Sequence, residues 1–473
     1  MSTAFNYIVI DQGTSSTKAF LFDSNGNILH SKKSKHTLIR PKPFHVECDA
    51  DGILNACRFL FDEMMLASGN IPVKKVGLAV QRSTFLFWEK EMCKPATSAL
   101  SWQDSRAHAI TDELSEHEDQ LWDITGTPLS AHFGGPKYLH LTRHNPELMK
   151  KVKKGELYFG SLSAFLSQAM TGTPGIDDSI ACRSLFYDIH QCTWSNWALD
   201  LFQVDKQILP PLVSVQHNFG NVFNSGIPLT CVIGDQQGAL IGQAGLVPGN
   251  IAANFGTSGS VQFNVGKIPT VMDGLISSVL FSDNIKKIFM VEGTINACNS
   301  LFYHLEDMLD IPHEKLKWHK RIKDTKTEGI FIPGFAGLAS PYWEPGSDDI
   351  LINLNINEKD EIVRAGMESI GFLVNDIISR LLPIIGKKPE VLTTSGGGAR
   401  DPLLQFIADL TGIKVSHSAM KDRTAFGIYK ILSQNFDFEP CPNIDHFLTP
   451  DKNVKIEKKK MQWQKAINQA ISI

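Results

Sequence analysis

The sequence predicts an α/β protein of two related domains with a cleft between them, and three observations carry that prediction. At 473 residues the chain exceeds what one core organises, so two domains of roughly 200 residues or more are expected. Short apolar runs bounded by turn residues alternate with segments of helical period. A Gly-Thr-Ser turn followed by an alternating strand stands near the start of each half, as GTSSTKAFLFD from Gly13 and GTSGSVQFNVG from Gly256. Two unrelated hairpin turns would read alike, but their placement favours duplication, with LVPGN (Leu246 to Asn250) dividing 1–247 from 248–473.

Taken in order, Tyr7 to Ile10, Ala19 to Phe22 and the run after the turn DSNGN form a β-meander. From Ile53, the residues Cys57, Leu60, Phe61 and Met64 recur at helical spacing, and Val76 to Gln81 follows as a buried strand. A helix is expected from Asp104 and Ser105, either of which can cap it, through AHAITDELSEHEDQL. GIPLTCVIGDQQGALIGQAG reads as strand, glycine, then a helix closed by Gly245. In the second half, Ile362, Gly366, Ile370, Leu373, Ile377 and Leu381 stripe a long helix ending at Pro383. EVLTTSGGGARDPLLQFIADLTG then gives a strand, a glycine-rich loop and a helix with Pro402 in its first turn and Gly412 past its end. DRTAFGIYKILSQ is a further helix, and the basic tail a packed or fraying terminal one.

Composition excludes several function classes. A formal net charge of −4 gives no footprint for nucleic acid, and no stretch of about 18 apolar residues offers a membrane span. The eight cysteines, Cys441 among them, show neither C-x-x-C pairing nor zinc spacing and read as reduced thiols. With no secretory n- and h-regions at the N-terminus, a cytoplasmic setting is expected.

The opening turn carries the first chemistry. Gly13, Thr14, Ser15, Ser16 and Thr17 can aim N–H and hydroxyl donors at phosphate oxygens, and Lys18 adds positive charge. Asp11 would repel a bare phosphate, so its presence makes sense with Mg²⁺ between them. No Walker motif is present, and GGGARD fails the dinucleotide pattern. A nucleotide would therefore be held by the first turn, by Gly256 and Thr257 in FGTSG, and by Gly396, Gly397 and Gly398, whose missing side chains admit a base or ribose. Asp235 ends a strand and precedes a helix. It can serve as a helix cap, or as a general base accepting a hydroxyl proton.

In order along the chain, DQGTSSTKAFLFD, SWQDSRA, GDQQGALIGQ, NFGTSGS, GLASPYWEPG and SGGGAR resemble the FGGY carbohydrate kinases, and the first, third and fifth look most like glycerol kinases. The resemblance runs from about Tyr7 to about Leu432 and implies two actin-like, ribonuclease-H-type domains. It further implies ATP and Mg²⁺ as cofactors, Asp235 as catalytic base, and Asp11 with Asp235 toward the metal. Thr14 and Lys18 would meet the transferring phosphate, Thr257 the nucleotide's phosphates, and Gly397 and Gly398 the adenosine.

The acceptor pocket departs from the glycerol kinase pattern. VQRST keeps Arg82 but has Ser83 where those kinases carry glutamate, and His132 stands where they carry tyrosine. Trp102, Asp104 and Gln236 keep the family look and are expected near the substrate. A small sugar or polyol other than glycerol is therefore expected, with glycerol as the alternative. A homodimer stays open. Cys298 and Asn299 replace small residues bordering the nucleotide, and the segment ILINLNINEKDEIVRAG is shorter than the family's usual signature. Two other classes share the phosphate loops: an actin-like ATPase that switches with a protein partner, and a weakly active sugar-binding relative. Arg82, Asp235 and Gln236 argue for the kinase over the first, and turnover that depends on added sugar separates all three.

Overall fold

The computed structural model describes residues 4–386, 388–417, 422–437, 446–451 and 456–471. The first half opens with the expected meander, β1 (Asn6–Gln12), β2 (Ser16–Asp23) and β3 (Ile28–Lys35), followed by α1 (Ala50–Ser68) and β4 (Val73–Val80). After a long insertion come β5 (Leu229–Gly234) and α2 (Asp235–Ala244). The second half runs β6 (Ile251–Phe255), β7 (Gly259–Gly266), β8 (Ile276–Ser282), β9 (Lys287–Ile295), α3 (Asn299–Leu309) and α4 (Lys359–Ile385). It continues through β10 (Val391–Ser395), α5 (Asp401–Thr411), β11 (Lys414–His417), α6 (Arg423–Ser433), β12 (His446–Leu448) and α7 (Glu457–Ala470).

The two sheets repeat one topology. The first has the order β5-β4-β1-β2-β3; the second contains β11-β10-β6-β7-β9, extended by β12 on one edge and β8 on the other. In each, two antiparallel pairs make the meander and two parallel pairs make the rest. The parallel pairs need crossovers: α1 leads into β4, the insertion into β5, α4 into β10 and α5 into β11. The duplication suggested by two short turns is thus a repeat of a whole five-stranded unit.

The helices after the last parallel strands, α2 and α6, lie between the sheets. α6 belongs to the second half but packs on the first sheet: Ile428, Tyr429 and Leu432 share a core with Tyr7, Val9 and Phe22. Gly77 in β4 makes room for it, since a Cβ there would lie 2.3 Å from Ile428 Cγ2. At 11 residues, α6 is shorter than the ~12–15 residues at which an isolated helix becomes marginal, so its stability comes from this packing. α2 and α6 cross on glycines. A Cβ on Gly242 would stand 2.0 Å from the Arg423 carbonyl oxygen, and one on Gly427 1.9 Å from that of Gly238.

The β8–β9 hairpin ties the halves together elsewhere. Ile276, Val279 and Phe289 join the core of the first half. Ser277 N–H donates to the Gly126 carbonyl (2.7 Å), and Asp178 accepts from Ser282 Oγ (2.5 Å) and pairs with Lys287.

Several expectations need correction. No continuous helix leaves Asp104: short helices cover His108–Glu113 and Glu118–Thr125 with a 3₁₀ turn between them, and Ala107 precedes the first without a side-chain cap. Asp104 is withdrawn from capping by Arg106. α4 continues past Pro383 to Ile385 and stops at Gly386, in the left-handed region at φ 63°; a proline two residues from a helix end removes little. The terminal helix is anchored by Trp463 and Ile467, both buried. The cysteines among the described residues are unpaired, and Cys441 lies outside those residues.

Candidate active site

Because β1, β4 and β5 run parallel, their carboxyl ends meet along one edge, where parallel sheets commonly bind ligands. Asp11 is the penultimate residue of β1, Arg82 follows β4 and Asp235 follows β5. Asp235 is not a cap: Gly234 holds that position, and Asp235 Oδ1 instead accepts from the Gln236 N–H at 2.8 Å. Its side chain keeps a quarter of its exposure and lies 3.9 Å from Arg82 Nε. Burial raises the Asp235 pKa, and Arg82 works against that rise. Asp11 is pushed up to about 7 by burial first and the Asp235 carboxylate second, with Lys18 opposing.

Two neighbouring carboxylates, one raising the proton affinity of the other, are a fit for a hard divalent cation, which takes one or two carboxylates along with phosphate oxygens and waters. Among the described residues no cluster of three or more ligating side chains exists, so phosphate oxygens and waters would supply the rest of such an ion's shell.

The turn after β1 is held from outside. Gly13 N–H donates to the Ser16 carbonyl (2.9 Å), His36 N–H to the Ser15 carbonyl (2.9 Å), and His36 Nε2 meets Thr17 Oγ1 at 2.6 Å. Thr14 Oγ1 accepts from Trp102 Nε1 at 2.9 Å, which leaves its own O–H free to donate. His132 Nδ1 meets the Trp102 carbonyl at 2.9 Å, so Thr14, Trp102 and His132 form one connected wall. Lys18 pairs with Asp422 of the second half at 2.9 Å.

Ser83 sits in the left-handed region at φ 59°, with its carbonyl held by Lys137 Nζ at 2.7 Å. Lys137 also holds the Ser101 carbonyl at 2.7 Å, and burial pushes it down to about 7 while Asp104 opposes. Asp104 lies beneath this surface. It has no exposure and spends its oxygens on Arg106 and on the Val46 N–H.

The second half presents a matching edge. Gly256 and Thr257 follow β6, and their carbonyls accept from Asn299 N–H (3.0 Å) and Ser300 N–H (3.1 Å) at the start of α3. Gly396, at φ 97°, follows β10, where a Cβ would lie 2.3 Å from the Phe255 carbonyl oxygen. That carbonyl accepts the Gly398 N–H at 2.9 Å and Asn299 Nδ2 at 3.4 Å, so Asn299 locks the two glycine turns side by side. Gly397 is exposed and nearly open, with its nearest neighbour 3.8 Å from a built Cβ.

Sequence reasoning missed Glu292, Gln262, Lys137 and Asp422. The first two lie mid-strand in β9 and β7, Gln262 within the repeated GTSGSVQFNVG segment but past its turn. Their signal was a charged and an amide residue inside otherwise apolar strands, which calls for a polar partner.

The comparisons with known proteins agree over nearly the whole chain. Residues 6–242 match the model described as the N-terminal domain of the FGGY family of carbohydrate kinases, and residues 251–432 that of its C-terminal domain. Glycerol kinase 1 of Thermotoga maritima is 32% identical over 440 residues, 89% of each chain, and the glycerol kinase of Halothermothrix orenii 28% identical over 98% of each. The glycerol kinase of Plasmodium falciparum, solved with ADP, superposes with a TM-score of 0.88 over 98% of each chain at 28% identity. A xylulose kinase of Lactobacillus acidophilus shares the fold, with a TM-score of 0.86 over 99% of this chain and 98% of the other at 20% identity.

Proposed function

The chain belongs to the FGGY family of carbohydrate kinases and is a phosphotransferase, and from that premise we propose that it moves the terminal phosphoryl group of ATP to a hydroxyl of a small sugar or polyol other than glycerol. The observation that carries this reading is the pairing of Asp235 with Asp11 and Arg82 at the carboxyl ends of adjacent parallel strands. Residues 1–247 form the acceptor side with the first phosphate turn and the base, and 248–473 the nucleotide side.

Asp235 accepts the acceptor hydroxyl's proton, and its raised pKa suits it to hold one. Arg82, Gln236, Trp102 and His132 bind and orient the acceptor. Thr14 donates its free O–H to the transferring phosphate, with Ser15 and Lys18 beside it. Gly256 and Thr257 receive the remaining phosphates, and Gly396, Gly397 and Gly398 the adenosine. Asp11 and Asp235 would hold Mg²⁺, which when bound supplies neutralisation between carboxylates and phosphate oxygens. Phosphoryl transfer passes through a loose transition state, so alignment and charge balance are what the protein contributes.

Ser83 and His132 support an acceptor other than glycerol, because a carboxylate and a phenol that would take polyol hydroxyls are replaced. Glycerol is the second reading, favoured by the relatives named glycerol kinase. Turnover with ATP and Mg²⁺ across glycerol, C4–C7 polyols and ketoses tests both. A longer polyol or ketose is expected to lead; glycerol clearly best reverses the choice, and ATP consumption indifferent to every acceptor overturns the kinase reading.

A further inference from the structure

Two side chains of the second half reach the acceptor edge of the first. Gln262 and Glu292 are partners across the β7–β9 ladder, so both point to one face. Gln262 Nε2 donates to Gln236 Oε1 at 3.2 Å, and Glu292 Oε1 lies 2.9 Å from Arg82 Nη1. Glu292 is 1% exposed and also pairs with Arg183, itself 2% exposed. Burial works against the Glu292 charge, but Arg82 and Arg183 outweigh it and hold its pKa below the ordinary value.

From this arrangement we infer that Glu292 is a positioning residue of the acceptor site, fixing the Arg82 guanidinium beside Asp235 and neutralising it so that it meets hydroxyls rather than a carboxylate. The inference rests on the acceptor site proposed above. The Arg82 guanidinium lies between two carboxylates, Glu292 at 2.9 Å from Nη1 and Asp235 at 3.9 Å from Nε, and their charges hold it there. Glu292, 2.9 Å from Arg82, offsets a guanidinium charge that would otherwise draw an acidic substrate. A buried ion pair that only joined the halves would need neither Arg82 at the acceptor edge nor Gln262 on Gln236.

Steady-state kinetics of Glu292→Gln test this, with the acceptor and ATP varied separately. The expected result is an acceptor KM raised about tenfold or more, an ATP KM within about twofold, and a higher ratio of activity on an aldonic acid to activity on the matching neutral polyol. A merely structural role would not move that ratio. Glu292→Gln leaves Arg183 buried without its partner, so Arg183→Met/Glu292→Gln, which removes one charge of each sign, is measured beside it with the same expectation. An acceptor KM and acid-to-polyol ratio unchanged in a folded variant overturn this inference alone. Wild-type protein inactive on every neutral polyol and ketose overturns the functional reading, and this inference with it.

Discussion

The carboxylates of Asp235 and Asp11 stand at one sheet edge but bear on different properties, the first on turnover and the second on stability. If Asp235 is the base, Asp235→Asn removes the proton acceptor while keeping shape, and kcat falls on the order of 10²–10⁴-fold with circular dichroism unchanged; activity within tenfold of wild type would remove it from the mechanism. Asp11 has a folded-state pKa of about 7 against an ordinary 3.8. Its stabilising contribution is therefore complete below the ordinary value and lost as pH rises from about 4 to 7. Asp11→Asn should stabilise the metal-free protein at pH 8 by the order of 2–4 kcal/mol, read as a higher melting temperature, and change it little at pH 4. Equal shifts at both pH values would contradict this. Gly397→Ala separates binding from folding: open space at that Cβ predicts unchanged stability, whereas the nucleotide reading predicts an ATP KM raised about tenfold, from the close backbone approach lost.

Among the elements, those most legible from sequence are the ones whose signals are local. The opening meander, the strand–glycine–helix around Asp235 and the helix flanked by Pro402 and Gly412 all appear as read. The segment after Asp104 misled because capping residues compete for other partners; Arg106, two positions on, takes the Asp104 carboxylate, and the helix starts later. The candidate site divides the same way. Asp11, Thr14, Arg82 and Asp235 stand in recognisable strings, but Glu292 joins Arg82 across 210 positions with nothing in either neighbourhood to announce the other. The α2–α6 crossing is the element contact with least tolerance. Gly242→Ala drives a methyl into the Arg423 carbonyl, and forced overpacking of this kind costs roughly 1–3 kcal/mol or more. Urea unfolding should show that loss, and a midpoint within error of wild type would mean the helices can separate freely.

At the scale of the whole molecule, the halves are joined through a shared core, with α6 of the second half on the first sheet and the β8–β9 hairpin packed into the first half. Heating should therefore give one calorimetric transition, and a fragment ending at residue 247 should fail to fold, since it would expose Tyr7, Val9 and Phe22 where α6 belongs. Two well-separated transitions would show that the halves are independent. The location of α6 near the end of the chain also bears on how the protein is made. During synthesis the first sheet is complete once β5 has left the ribosome, yet its cover follows roughly 200 residues later, a delay of about 10–40 s at ordinary elongation rates. Over that interval Tyr7, Val9 and Phe22 lack the partners that α6 supplies, so the first sheet completes its core only after most of the second half has been made.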